Sequence, residues 1–186
     1  EPTAICDDDL TVSIGGADLA RIYAEDIDEG SNDNCGEVSL AVRRTGVVLD
    51  QFGRVIPFIC GNQVSPWGPF VDFYCCDVGR TITIELRVRD TDGNENICWL
   101  DIVPEEKVKP FCYAPHPVMI DCDDLPYSFD ATDTLQLQQL FGDATSEDNC
   151  SSWERELPPV PDLECGFGTI IRRFRARDVN GNESVN

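Results

Sequence analysis

The residues best equipped for chemistry are the acids and amides of a turn that occurs twice. Asp90, Asp92, Asn94 and Asn96 alternate through Asp90-Thr-Asp-Gly-Asn-Glu-Asn96. A second copy lies 88 residues on, Asp178-Val-Asn-Gly-Asn-Glu-Ser184, and offers Asp178, Asn180 and Asn182. Hard cations take six to eight oxygens from carboxylates, amides and carbonyls. Oxygen-bearing side chains alternating through a glycine turn can aim at one point, and calcium is the ion this chemistry would hold. Asp7, Asp8, Asp9, Asp26, Asp28, Glu29 and Asp33 add further acid. No EF-hand is present, because no Glu follows at the spacing that loop requires. The same residues also spell a plain hairpin turn in which Asp and Asn cap backbone groups, and the sequence leaves both readings open.

Other chemistries find less to work with. The only histidine, His116, is held between Pro115 and Pro117, a poor place for the mobile base of a Ser-His-acid triad, and no Gly-x-Ser-x-Gly elbow occurs. Paired carboxylates are abundant simply because acid is abundant. The expectation is therefore a protein that is not an enzyme. Trp67, Phe70 and Tyr74, with Phe73, surround a Pro/Gly loop. They read either as core or as a face for a glycan or a protein, since aromatic residues anchor interfaces.

Charge removes two classes of partner. Lys and Arg total 14 against 35 Asp and Glu, a net charge of −21. Phosphate backbones need clustered positive charge, so nucleic acid is not expected, nor is an anionic membrane surface or direct membrane insertion. Self-repulsion on this scale works against a compact fold. Bound cations or a well-solvated acidic surface would offset it. Ten cysteines with one histidine and no Cys-x-x-Cys hairpin read as disulfides, not zinc ligands, and hence as an oxidising compartment.

The elements that must position these residues repeat as well. Each turn closes a basic alternating strand, Thr81–Asp90 and then Thr169–Asp178. Each strand is preceded by a block of Ser-x-Asp-Asn-Cys type, Ser31–Cys35 and Ser146–Cys150, and further upstream by Cys6-Asp-Asp8 and Cys122-Asp-Asp124. Three signatures in one order mean two copies of one module. Strands are predicted over Leu10–Ile14, Leu19–Ala24, Val38–Arg43, Val55–Cys60, Phe70–Cys75, Thr81–Asp90 and Cys98–Val103. In Thr81–Asp90, Ile82, Ile84, Leu86 and Val88 share the inward face. Short strands with Gly, Pro, Asn and Asp turns predict an all-β chain of two tandem immunoglobulin-like β-sandwich modules. The boundaries are 1–107 and 108–186, joined by the short prolyl connector Pro104–Pro110. In the second module Val118–Cys122 is predicted as the first strand, while Leu135–Phe141 fits a strand or a helical turn. Aligning the last strands puts Arg172 where Ile84 faces inward, which requires a bulge or an edge position. The second module stops where the first still has Cys98, so the chain reads as a piece of a longer array.

The ordered set Cys-Asp-Asp, Asp-Asn-Cys and Gly168-Thr-Ile-Ile-Arg-Arg-Phe-Arg-Ala-Arg-Asp178 with Gly181-Asn182 carries a resemblance. It is similar to hyalin-repeat (HYR-like) immunoglobulin modules, above all the cysteine-rich versions in giant surface proteins of gliding and marine Bacteroidota. Cys112-Tyr-Ala-Pro with Cys122, and Cys165-Gly-Phe-Gly-Thr169, are especially close. The resemblance spans nearly the whole chain. It implies a repeat region of a secreted cell-surface adhesin or filament, working as a stiff acidic spacer. Partners would be neighbouring repeats, surface glycans or like chains. The alternative is a glycan- or protein-binding module of a surface protein.

In a sandwich of this type the segments around Cys6 and Cys98 run side by side and parallel, which predicts a Cys6–Cys98 bridge. Cys150–Cys165 is the remaining internal pair of the second module. Cys35, Cys60, Cys75 and Cys76 are expected to form two bridges among themselves, with Cys35–Cys76 and Cys60–Cys75 preferred over the swap, because adjacent cysteines rarely bridge each other. Cys112 is left without a clear partner. Each bridge across a long loop would add roughly 3–5 kcal/mol.

Overall fold

The structure is a computed structural model that describes residues 1–16, 18–45, 64–164 and 167–186. The predicted strand Val55–Cys60 lies outside the described residues. The chain is all-β and immunoglobulin-like, and it divides into two compact units, Glu1–Lys107 and Val108–Asn186.

The first unit contains β1 (Ser13–Ile14), β2 (Leu19–Tyr23), a one-turn helix α1 (Ala24–Ile27), β3 (Val38–Thr45), β4 (Phe70–Tyr74), β5 (Ile82–Asp90), β6 (Glu95–Ile102) and β7 (Glu105–Glu106). Strands β3, β5 and β6 form one antiparallel sheet, β2 and β4 another, and β1 pairs with β7 in parallel. One apolar cluster joins them. Ile22, Val71 and Phe73 from the smaller sheet pack with Val42, Ile82, Ile84, Leu86, Val88, Leu100 and Ile102 from the larger. The inward face of β5 is the one its alternation predicts. Truncating Leu86, fully buried at the centre, would cost about 2–5 kcal/mol. The predicted strand Leu10–Ile14 shortens to two residues because only Ser13 and Ile14 find a ladder partner.

A buried fork ties β3 to the turn after β4. Arg44 donates two hydrogen bonds to Asp77, each 2.8 Å, and one of 2.6 Å to the carbonyl of Asp72. The Asp77 carboxylate is fully buried and also accepts the Tyr74 amide at 2.9 Å. Two charges survive burial here because the geometry is bidentate and a backbone donor joins at Asp77, although Arg44 Nε is left without a partner.

The second unit contains β8 (Phe111–Tyr113), α2 (Thr134–Phe141), β9 (Thr145–Glu147), β10 (Ser152–Glu156), β11 (Val160–Glu164), β12 (Phe167–Ile171), β13 (Phe174–Asp178) and β14 (Glu183–Val185). Its first strand is Phe111–Tyr113, paired with β9, and not the predicted Val118–Cys122. Pro115 and Pro117 lack the N–H that a ladder needs, and Cys122–Asp124 winds into a 3₁₀ turn capped by Asp121. The segment Leu135–Phe141 is helical. The Asp133 side chain caps Leu135 and Gln136 at 3.0 and 3.3 Å, Gly142 ends the helix at φ 82°, and Leu137 is its buried residue.

The problem at Arg172 resolves as a break opposite a bulge. Strand β10 pairs with β13 up to Glu156–Phe174, and β11 pairs with β12 from Val160–Ile171. Four steps along one side therefore face three along the other, so one extra residue sits near Pro158 and Pro159. Arg172 turns inward there and forks onto Glu156 with two hydrogen bonds of 2.8 Å, its guanidinium 4.9 Å from the centre of the Phe174 ring.

Candidate functional site

The repeated phrase builds the same clasp twice. In the first unit, Asp90 Oδ1 accepts the amides of Asp92 and Asn94 at 3.0 and 2.8 Å, and Oδ2 accepts Asn94 Nδ2 at 2.8 Å. In the second, Asp178 Oδ1 accepts Asn180 and Asn182 at 2.9 and 2.8 Å, and Oδ2 accepts Asn182 Nδ2 at 2.7 Å. Backbone bonds close the turns, from Asp90 to the carbonyl of Asn94 and from Asp178 to that of Asn182, each 3.1 Å. Gly93 and Gly181 supply the φ of 91° and 97° that an L side chain rarely adopts. The hydrogen bond from Asn94 holds the Asp90 carboxyl below its ordinary value, with the two turn amides acting the same way and partial burial opposing them.

The remaining letters of the phrase also have work. Arg87 and Arg89 converge on Glu95 at 3.5 and 3.8 Å, and Arg175 and Arg177 on Glu183, both at 3.6 Å. The last residue reaches the start of its own unit. Asn96 Nδ2 donates to the carbonyl of Pro2 at 3.0 Å, and Ser184 Oγ to that of Pro110 at 2.6 Å. Each position thus contributes to fastening the end of the sheet to the entry of the module.

As a cation site the alternating set does not converge. Asn94 and Asn182 turn their NH2 groups, not their oxygens, toward the aspartate. Asn96 Oδ1 accepts the Ile97 amide while its nitrogen serves Pro2. Asp92 is exposed. A different oxygen fits a cation better. Asp148 Oδ1 is buried without a hydrogen-bond partner, and Asp148 and the fully buried Asp178 bring carboxylate oxygens within 4.8 Å of each other. Asp33 holds the corresponding position in the first unit. Its Oδ1 likewise accepts no hydrogen bond, and it faces the α-ammonium of Glu1 at 3.5 Å. The Asp-Asn-Cys blocks were legible in the sequence, but not the orphaned oxygen.

The aromatic set separates. Phe73 is core. Phe70 and Tyr74 lie with Tyr23 and Leu19 on the outer face of the β2–β4 pair, around an Arg21–Asp72 fork of 2.7 and 2.9 Å. Arg21 covers the Phe70 ring at 3.6 Å. Trp67 lies on the other sheet, with Arg43 and Arg87 at 4.3 and 4.7 Å from its ring. Trp67, Phe70 and Tyr74 therefore form no common face. Among the described residues of the unit, the most open aromatic is Trp99, 70% exposed, which the sequence does not single out.

The cysteines sort as follows. Cys6 and Cys98 are bridged, with Cα atoms 5.9 Å apart across 92 residues. Cys75, Cys76 and Cys150 are in disulfides. Cys60 and Cys165 lie outside the described residues, and with them the Cys60–Cys75 and Cys150–Cys165 assignments. Cys35 is an exposed free thiol, which corrects the Cys35–Cys76 assignment. Asp33 Oδ2 caps the Cys35 amide at 3.0 Å, and this turn holds the residue out toward solvent. Cys112 is also a thiol, and burial pushes its pKa up, reinforced by the nearby Glu154.

No helix among the described residues is long and apolar enough to cross a membrane. Compared with known proteins, the chain matches no family model and no curated protein.

Proposed function

We propose that this chain is a structural repeat region of a secreted cell-surface adhesin or extracellular filament, in which each module is a stiff, acidic spacer. One observation carries the reading. The repeated phrase is spent on fastening its own module together, at both copies, and the first module is further closed by Cys6–Cys98. Residues used this way serve the integrity of a module under load. A staple of that span restrains the unfolded chain by roughly 4–5 kcal/mol and favours an oxidising location.

Single-molecule stretching tests it. Oxidised chain should unfold without releasing the 92-residue span between Cys6 and Cys98. Reduction should add roughly 300 Å of extension, at about 3.3–3.6 Å per residue. Equal extensions with and without reductant would end the spacer reading of the first module.

Calcium enters this reading as counter-charge at Asp148 and Asp178, not at the alternating turn set. A buried carboxylate oxygen without a donor calls for a cation in a chain of net charge −21. Millimolar calcium should raise the melting temperature of the wild type and leave that of Asp148→Asn unchanged. The absence of any rise in the wild type removes the ion from the reading.

The second reading, a glycan- or protein-binding module, is favoured by the exposure of Trp99 beside Ile97 on the outer face of β6. Binding on a glycan array that disappears in Trp99→Ala would place that reading first.

A further inference from the structure

Two tryptophans on the outer face of the β3–β5–β6 sheet are held differently. Trp67 is half-buried, its ring stacked on the guanidinium groups of Arg43 and Arg87. Trp99 is 70% exposed. Among the described residues its ring meets no other ring or cation, and its indole N–H donates no hydrogen bond. Polar groups surround it. The register places Glu85 directly across on β5, with Arg87 and Thr83 on the diagonals, and Asp101 two residues away on the same strand. Opposite pairs lie about 5 Å apart and diagonals about 7–8 Å, so one small ligand on the indole reaches them all. These groups are already held in place. Arg43 Nε donates to Glu85 Oε2 at 2.7 Å, Arg87 meets Glu95 at 3.5 Å, and Thr83 Oγ1 donates to Asp101 at 2.6 Å. Among the described residues Glu85 Oε1 accepts no hydrogen bond. The carboxylate is thus fixed by one oxygen and offers the other.

We propose that this face binds a neutral saccharide, one sugar ring stacking on Trp99 while its hydroxyls bond to Glu85, Asp101 and Arg87. The proposal rests on the binding-module reading and names the ligand of that site. Three features select this ligand. An exposed indole presents a flat apolar surface with a polar edge, which matches the C–H face and hydroxyl rim of a pyranose. Sugar hydroxyls both donate and accept, and carboxylates and a guanidinium stand interspersed around the indole, oriented in advance by their own pairs. The third feature is charge. The face sets Arg43, Arg87 and Arg89 against Glu85, Glu95 and Asp101, so it has no net charge to draw an ionic ligand. A chain of net charge −21 also repels uronates and sulfated glycans from a distance. A protein partner fits less well. A stable protein interface buries at least about 1,000 Å² around an apolar centre. Here the large exposed apolar side chains among the described residues are Trp99 and Ile97, within a charged surround.

Titration calorimetry on the full 186-residue chain tests it. Cellohexaose, mannohexaose and xylohexaose are the neutral probes, and a hexamer of mannuronate is the charged control. At least one neutral probe should bind with a Kd of about 0.1–1 mM. Trp99→Ala should weaken that binding by at least about tenfold and Glu85→Gln by about fivefold. Trp153→Ala, in the second unit, should leave it unchanged. An unchanged melting temperature shows that Trp99→Ala is folded; where it is not, Glu85→Gln decides. No neutral probe binding up to about 10 mM, binding that survives Trp99→Ala, or binding confined to the mannuronate hexamer overturns the proposal. Mannuronate binding that is lost in Trp99→Ala leaves the binding-module reading standing, so the two fail separately.

Discussion

The two modules fasten their last turn identically and fill their interiors differently. Asp90 and Asp178 accept the same three hydrogen bonds to within about a tenth of an ångström. Beneath them, the first module buries a continuous cluster from both sheets. Among the described residues, the buried apolar ones of the second are Leu137, Ala144, Cys150, Phe174 and Ala176. Among the described residues, each also buries an arginine–carboxylate fork, but at different places, Arg44 with Asp77 and Arg172 with Glu156. The lesson is that the clasp is local. It needs a hairpin, a glycine and an aspartate, and is indifferent to how the sandwich behind it is packed.

The sharpest way to break the comparison is to remove the Cys6–Cys98 staple of the first module. Cys6→Ser should cost about 4–5 kcal/mol in the first module and leave the second unchanged, read as one of two calorimetric transitions moving. Both moving together would show that the modules do not melt independently. Next come the forks. Asp77→Ala strands Arg44 in the interior and should cost about 3–5 kcal/mol, with Glu156→Ala at the lower end of that range. The Arg44–Asp77 pair is the more enclosed of the two and has an extra backbone acceptor. Urea midpoints of the two variants check the order. Smaller still is the clasp itself. Asp178→Ala frees two turn amides and an asparagine and should cost about 1–3 kcal/mol. Asp90→Ala should destabilise the first module in the same direction.

Acid offers the mildest test. The Asp90 carboxyl is held below its ordinary value in the folded state. Its contribution is therefore present above the unfolded pKa of about 4 and is lost as pH falls through the depressed folded value. Stability measured from pH 5 downward should decline less steeply in Asp90→Asn than in the wild type. Asp130, lowered by its hydrogen bonds from Thr132, adds a second decline of the same sign, in the second module.

Much of the first module is legible from alternation alone. Ile82, Ile84, Leu86 and Val88 are inward because period-two patterning of branched residues admits one burial solution. The Cys6–Cys98 pair is legible too, although the parallel ladder lies farther along, at Ser13–Ile14 with Glu105–Glu106, and Cys6 and Cys98 themselves pair antiparallel with Asp28 and Leu86. The second module is harder to read because its prolines and its bulge override pattern. Val118–Cys122 has strand-forming residues, yet Pro115 and Pro117 withhold the amides a ladder needs. Leu135–Phe141 turns on an aspartate cap and a terminal glycine, not on hydrophobic period. Turn chemistry hides the site for a related reason. Whether an Asp-x-x-Gly-Asn turn holds an ion depends on which end of each amide faces the carboxylate, and sequence does not state rotamers. The arginine pairs on Glu95 and Glu183 could have been found, since two outward arginines on one strand face and a glutamate across a tight turn must meet.

One consequence follows from where the clasp sits. Asp90 is only 8% exposed and Asp178 not at all. The arginine pairs beside them lie at the surface, where dissolved salt shortens the reach of charge to about 8 Å at physiological strength and about 3 Å at 1 M. In seawater or brine those pairs fade, while hydrogen bonds shielded from solvent keep their hold. The hairpin is therefore built to stay shut across salinities at which a fastening made only of ion pairs would loosen.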